Sequence, residues 1–377
     1  MKLSVEARFL RNFVLRDRPI YAHFAITHRC NLRCAACATW RLADEAKELS
    51  LGEIEELVAL LGRLGCKQIS LSGGEPVMRR DLPQIVGLCR RAGLRARVLT
   101  NGVAMTPAIA DELLAAGLKE ISFSLDSLNR EVQETIDLAK GTYDTRLDNL
   151  FHLARRLPLR GAVPLLNAIV NRLNIDELPR LVEFAERIGF YISFVPLHQP
   201  TGEQKGHRFY QPQEGLAFRA EDEPRVRTMY ETLLHAKRNG KPILNSSAFL
   251  AATPDFFFSG RVDWPCRAGS LYLSIGPDGF VSPCHAFEEQ WGAPYRDFER
   301  WSFSSEVRRE LPQRLAACEG CFRPCWAEIS FLALNRGSLR EMLQLHWRAR
   351  RAKSEINEPA VRDWLSAATG QSSCASC

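Results

Sequence analysis

A chain of 377 residues, 46% hydrophobic and 25% charged, has room for two domains and is not disordered or fibrous in composition. Fifty lysines and arginines against 44 acids leave a formal charge of +6, too small a surplus to mark a nucleic-acid binder. No stretch approaches the roughly 18 uninterrupted apolar residues of a membrane span, and the opening residues lack the apolar block and cleavage site of a secretion signal, so a cytoplasmic protein is expected.

In chain order, Val5–Leu15 reads as an amphipathic helix laid across the body that follows. Short apolar, often β-branched runs then recur at His23–Thr27, Gln68–Ser72, Arg95–Leu99, Glu120–Leu125, Val163–Val170 and Tyr191–Val195. Between most of them the apolar spacing is helical: Leu51–Leu64, opened by a capping box of Ser50 and Glu53, then Leu82–Arg91, Pro107–Ala116 and Ile175–Ile188. Strands separated by helices imply a parallel sheet with helices outside. About 175 residues is short for an eight-fold barrel, so the α/β expectation is a partial (β/α)6 TIM-like barrel, working at its strand C-termini.

The rhythm breaks after Pro200. The expected division is an N-terminal helix (1–20), the barrel (21–200), a bridging region (201–262), a small cysteine-rich α+β domain (263–345), and a C-terminal helix with a polar tail (346–377). The bridge, rich in Pro, Gly and charge, lies around a helix near Glu223–Arg238. The cysteine-rich part carries a hairpin, Leu271–Ile275 and Phe280–Ser282, turned at Pro277-Asp278-Gly279. A helix near Ser338–Arg351 follows.

Twelve cysteines are the informative number. Cytosolic thiols stay reduced, so clusters of them point to metal. Cys30, Cys34 and Cys37 follow directly on the first strand. Three thiolates within eight residues can wrap one cubane and leave its fourth iron open to a small chelating molecule. The alternative is a zinc site completed by His23 or His28, although closed zinc sites usually arrive as two separated pairs.

The segment Cys30-Asn-Leu-Arg-Cys34-Ala-Ala-Cys37 resembles the signature of the radical S-adenosylmethionine (SAM) superfamily. Ser72-Gly73-Gly74-Glu75-Pro76, ending the second strand, is similar to that family's Gly-Gly-Glu motif, which receives the amino group of SAM. Glycines allow close backbone approach and a carboxylate suits an ammonium. Thr100-Asn101-Gly102 and Ser124-Leu125-Asp126 end the third and fourth strands, where the family contacts the ribose and carboxylate of SAM. Asn171 and Asn174 follow the fifth. The resemblance implies an open iron that chelates SAM, reductive cleavage to a 5′-deoxyadenosyl radical, and abstraction of a substrate hydrogen atom. Two positions depart from the pattern. Ala36 stands where many members carry an aromatic residue against the adenine, with Trp40 as a possible substitute. An arginine common near a Gly-x-Phe/Tyr element is missing around Leu138–Gly141, leaving Lys140 or another residue to meet the carboxylate.

Cys266 and Cys284, flanking the hairpin, then Cys318, Cys321 and Cys325, resemble the SPASM extension or its shorter twitch form. The resemblance implies one auxiliary [4Fe–4S] cluster held by Cys266, Cys284, Cys318 and Cys321, with Cys325 in reserve. A zinc ribbon-like site is the alternative, as is a further cluster using Cys325, Cys374 and Cys377. Cys66 and Cys89 read as core thiols. His198, His207 and His285 read as packing or surface residues that could assist proton transfer.

The resulting expectation is a radical SAM enzyme acting on a peptide or natural-product precursor by crosslinking, oxidation or epimerisation, fed by a flavodoxin- or ferredoxin-type electron donor. Only some 20 residues precede the first strand, so no built-in leader-peptide reader is expected. The alternatives are a sugar or aminocyclitol dehydrogenase or epimerase, an RNA-modifying enzyme, and a metal-binding scaffold without catalysis.

Overall fold

The computed structural model describes residues 5–198, 209, 211–260, 262–287, 291–318, 320–351 and 356–370. His207, Cys374 and Cys377 lie outside them. Helix α1 (Val5–Leu15) leads into β1 (Tyr21–Thr27), α2 (Leu51–Leu64), β2 (Gln68–Gly73), α3 (Leu82–Arg91), β3 (Arg95–Thr100) and α4 (Pro107–Ala115). Then come β4 (Glu120–Ser124), α5 (Arg130–Asp137), α6 (Tyr143–Arg156), β5 (Leu165–Val170), α7 (Leu178–Arg187), β6 (Tyr191–Pro196) and α8 (Glu223–Arg238). Strands β1 to β6 pair in sequence order and in parallel, with Tyr21 opposite Gln68 and Leu165 opposite Tyr191. This is the expected partial barrel.

Alternation along each strand divides the two faces. On β1, Ala22, Phe24 and Ile26 are fully buried in the main core with Ile54, Leu57 and Leu61 of α2, whose Ser50–Glu53 capping box is formed. The other face turns inward and is polar. The Tyr21 hydroxyl donates to Ser70 Oγ at 2.9 Å, and Arg97 pairs with Glu120 toward the strand N-terminal end of the barrel. Cys66 and Cys89 are fully buried in the main core, as expected, and burial pushes the Cys89 thiol up to about 12.

Beyond β6 come α9 (Ser247–Ser259), β7 (Tyr272–Ile275), β8 (Phe280–Ser282), β9 (Ala293–Pro294), α10 (Tyr295–Ser302), α11 (Ser305–Ala316), α12 (Pro324–Leu334), α13 (Arg336–Ala349) and α14 (Glu358–Thr369). Strand β7 pairs in parallel with β1, Tyr21 opposite Tyr272, and the β7–β8 hairpin is antiparallel. The cysteine-rich segment therefore extends the barrel sheet to nine strands in the order β6-β5-β4-β3-β2-β1-β7-β8-β9.

Two features go beyond the expected division. A division at 345/346 would cut through α13, which runs unbroken from Arg336 to Ala349 and packs Leu345 and Ala349 on Val163 and Leu165 at the strand N-terminal end of the barrel. The bridging region holds a second helix, α9, whose Phe249 stacks on Phe322 with centroids 4.3 Å apart. Its interior Pro254 and its run of three phenylalanines, Phe256–Phe258, obscure any helical stripe.

Candidate active site

Strand β1 ends at the barrel mouth, and the chain enters the cysteine loop. Backbone bonds anchor that loop to three distant segments: Ala35 N–H to Ile136 O at 2.8 Å, Ala38 N–H to Phe209 O at 3.0 Å, and Gln213 N–H to Ala35 O at 2.9 Å. Cys30 Sγ accepts from Leu32 N–H at 3.4 Å, and Asn101 Nδ2 approaches it at 3.9 Å. Cys34 Sγ lies 3.8 Å from Asp137 Oδ1. Burial pushes the Cys30 thiol up to about 11, and burial followed by Asp137 raises Cys34. All three thiols are partly exposed at the mouth and form no disulfide. Among the described residues no three His, Cys, Asp or Glu side chains converge on one point as a mononuclear ion requires.

Gly73 and Gly74 have a steric reason beyond any ligand. A Cβ on Gly73, at φ +125°, would sit 1.9 Å from Thr27 O, and one on Gly74 would sit 2.2 Å from Arg29 O. The pair lets β2 close on the chain entering the cysteine loop, through Gly74 N–H to Thr27 O and Glu75 N–H to Arg29 O, both 2.8 Å. The Glu75 carboxylate is fully buried and accepts from Asn101 N–H at 2.6 Å, Thr100 Oγ1 at 2.9 Å and Val77 N–H at 3.2 Å. Burial outweighs those bonds and pushes the carboxyl up to about 7. One side chain thus ties the end of β2 to the end of β3.

Ser124 is half-buried at the end of β4. Asp126 is buried, accepts from Ile169 N–H at 2.6 Å, and is also pushed up to about 7 by burial. Asn171 is 1% exposed and engages both amide ends locally, Nδ2 to Ile169 O and Oδ1 from Leu173 N–H. It shapes the loop at this rim.

Sequence reasoning missed the group behind Cys34. Arg146, on α6 and 1% exposed, pairs with Asp137 at 2.7 Å and donates to Asn101 O at 2.9 Å. Gln133 Nε2 completes the hold on Asp137 at 3.1 Å. A buried arginine therefore stands near the rim to which the sequence pattern assigns Lys140, five residues beyond Gly141. Ala36 packs in an aliphatic patch with Ile136, Leu197 and Leu216, which fills the space beside it. Trp40 donates to Cys37 O at 3.2 Å, and its ring meets the guanidiniums of Arg33 and Arg41 at 4.5 and 5.1 Å.

The second cysteine set lies at the β7 edge. Cys266, Cys284, Cys321 and Cys325 share an apolar cluster with Tyr21, Tyr272 and Trp326. Burial raises the Cys266, Cys284 and Cys321 thiols, and the nearby Cys318 adds to each, while Cys325 adds to Cys321 and to Tyr21. Two buried donors here have no partner among the described residues: Arg267 Nε, next to Cys266, and Trp326 Nε1, next to Cys325. Orphaned donors around clustered thiols suit an anionic sulfide cluster.

Between the two sets runs an aromatic wall. His28 faces Phe209 at 5.8 Å, Phe209 faces His285 at 5.6 Å, and His285 faces His23 at 4.9 Å and Trp326 at 5.5 Å. His285 is set by Ser274 Oγ at 3.0 Å, whereas His198 is buried against Phe256. No helix among the described residues is long and apolar enough to cross a membrane.

Residues 24–185 match the family described as the radical SAM superfamily. The chain is 32% identical over 298 residues to PqqA peptide cyclase of Ruegeria pomeroyi, covering 78% of this chain and 73% of the relative. Streptococcus suis SuiB bound to S-adenosylmethionine superposes with a TM-score of 0.58 at 17% identity, over 77% of this chain and 67% of that one. SuiB bound to precursor peptide SuiA gives 0.58 at 16% identity, over 81% and 69%. With the cysteine loop, the Gly-Gly-Glu turn and the barrel in register, the chain belongs to the radical SAM superfamily and is an enzyme whose cofactors are SAM and [4Fe–4S] clusters.

Proposed function

We propose that the enzyme installs a covalent crosslink within a peptide precursor. The observation that carries this reading is the 32% identity, across 78% of the chain, to a protein named as a peptide cyclase. When bound, SAM and its cluster supply a 5′-deoxyadenosyl radical that removes a hydrogen atom from an unactivated carbon. The chain's own residues do the rest. Cys30, Cys34 and Cys37 hold the SAM-binding cluster at the barrel mouth. Gly73, Gly74 and Glu75 orient the methionine end of SAM. Thr100, Asn101, Ser124 and Asp126 form the remaining rim, with Asn171 shaping it. Cys266, Cys284, Cys318 and Cys321 hold the auxiliary cluster, with Cys325 beside them. The peptide lies between the two centres, against the wall of Phe209, His285, His23 and Trp326, which excludes water. The barrel (21–200) and the β7 extension act as one body around that space.

Electrons reach the SAM-binding cluster from a flavodoxin- or ferredoxin-type donor that docks at the lip formed by Arg33, Trp40 and Arg41. Both arginines are exposed, and neither faces a carboxylate among the described residues.

The test is anaerobic incubation with dithionite, SAM and the short peptide encoded nearest the gene. 5′-Deoxyadenosine together with a peptide lighter by two hydrogens, joined between two side chains, is the expected outcome. A peptide of unchanged mass that gains solvent deuterium would replace crosslinking by epimerisation. Changing Cys30, Cys34 and Cys37 together to Ala should abolish 5′-deoxyadenosine; if it persists, the cluster assignment is wrong.

A further inference from the structure

The auxiliary cysteines carry one side-chain hydrogen bond whose geometry the fold fixes. Tyr272 Oη lies 3.0 Å from Cys266 Sγ. The ring is fully buried in β7, opposite Tyr21 of β1, and stacks on Trp326 with centroids 4.6 Å apart and planes at 22°. Trp326 is wedged in turn against Tyr21, His23 and His285 at 6.0, 5.7 and 5.5 Å. Strand pairing and stacking leave the hydroxyl little room to turn elsewhere. A thiolate that ligates iron has no proton, so in the loaded protein the phenol is the donor.

We propose that Tyr272 is a positioning residue that sets the reduction potential of the auxiliary cluster by donating a hydrogen bond to the Cys266 sulfur. The inference rests on the assignment of Cys266 as a cluster ligand. Reduction adds one electron, and the added charge spreads onto the sulfurs. A donor aimed at one of them stabilises the reduced state more than the oxidised one and raises the potential. Gly320 N–H approaches Cys318 Sγ at 3.4 Å in the same way, but as a backbone group it is not changed by exchanging side chains. Tyr272 is the donor that evolution could adjust.

The measurement is made in full-length protein in which Cys30, Cys34 and Cys37 are Ala, so that one cluster alone is titrated. Tyr272→Phe keeps the ring and its stack and removes the hydroxyl. The expected result is an unchanged iron content and a midpoint lower by a three- to tenfold change in the redox equilibrium, about 28–59 mV at 59 mV per decade for one electron. An unchanged midpoint at full iron content overturns the inference and leaves the cysteine assignment standing. Failure of the Tyr272-containing protein to bind a four-iron cluster overturns the assignment itself, and the inference with it. If Tyr272→Phe does not load, 3,5-difluorotyrosine introduced at position 272 provides a stronger donor. It should raise the midpoint, and no movement would again overturn the inference.

Discussion

Glu75, which we assign to the SAM site, also holds the fold. Its carboxylate is the shared acceptor for Thr100, Asn101 and Val77, so Glu75→Ala strands buried donors at about 1–3 kcal/mol each in addition to any lost contact with SAM. Glu75→Gln separates the two roles. With the amide oxygen toward Asn101 N–H, the NH2 stands opposite the Thr100 hydroxyl and Val77 N–H, so one buried donor is stranded where Ala strands three. Urea unfolding of Glu75→Gln should therefore show a loss of about 1–3 kcal/mol, smaller than that of Glu75→Ala, while SAM affinity falls tenfold or more through loss of the charge-assisted bond. Equal SAM affinity in the folded variant would remove the Glu75 charge from the SAM site. Behind Cys34, Arg146→Met leaves Asp137 buried without its cation and should cost about 3–5 kcal/mol in the same assay. The motif glycines and cysteines are legible because chemistry demands those residue types at that spacing. Arg146 is not: it sits in a helix of mixed charge, Tyr143–Arg156, where an arginine reads as solvated, and only the packing of α6 on the β3 loop buries it.

At the scale of elements, the strands and their helices could be read because parallel β/α units alternate period 2 with period 3.6. Helix α9 could not, since Pro254 and Phe256–Phe258 erase the stripe, and its support is tertiary. Ser246 N–H donates to Glu328 of α12 at 2.8 Å and Ser247 N–H to Glu341 of α13 at 3.0 Å, so two acids cap the N-terminus of α9. Lys237 of α8 faces the same pair, 3.4 Å from Glu341. Burial is the main cause that pushes Glu328 up to about 7, against the lowering pull of Ser246 and Lys237. A carboxyl whose folded pKa is raised adds stability that is fully present below its unfolded pKa, near 4.5, and lost as pH rises through about 7. A tenfold difference in proton affinity between the folded and unfolded chain is worth about 1.4 kcal/mol. The loaded protein should accordingly lose stability between about pH 4.5 and pH 7, and Glu328→Gln, which cannot ionise, should flatten that part of the profile. An identical pH slope in both proteins would show that this clasp does not titrate.

For the whole molecule, the continuous sheet matters most. By pairing β7 with β1, the chain brings a second cysteine set to the same barrel that carries the first, an arrangement the spacing of cysteines alone does not reveal. Two four-iron cubanes on three plus four thiolates give about eight irons per chain. Ala at Cys266, Cys284, Cys318 and Cys321 should lower that to about four and spare uncoupled SAM cleavage. About twelve irons, falling when Cys374 and Cys377 are removed, would place the tail in a third cluster.

Electron entry sets the last expectation at this scale. Arg41 is exposed, donates to Gln211 Oε1 at 2.6 Å, and holds its guanidinium 5.1 Å from the Trp40 ring, which itself donates to Cys37 O. At the proposed docking surface, a positive lip on the cysteine loop would attract an acidic carrier over roughly one Debye length, about 8 Å at physiological ionic strength. Arg41→Glu reverses one charge of that lip without touching a cysteine or the rim. The rate of 5′-deoxyadenosine formation driven by reduced flavodoxin should fall severalfold, and its dependence on salt should become shallower, because a steered encounter has become a less steered one. With dithionite, a small anion in excess that needs no docking surface, the rate should hold close to that of the parent. Equal losses with both reductants would mean that Arg41 supports the loop itself. No loss with flavodoxin would move the docking surface away from the Arg33–Trp40–Arg41 lip.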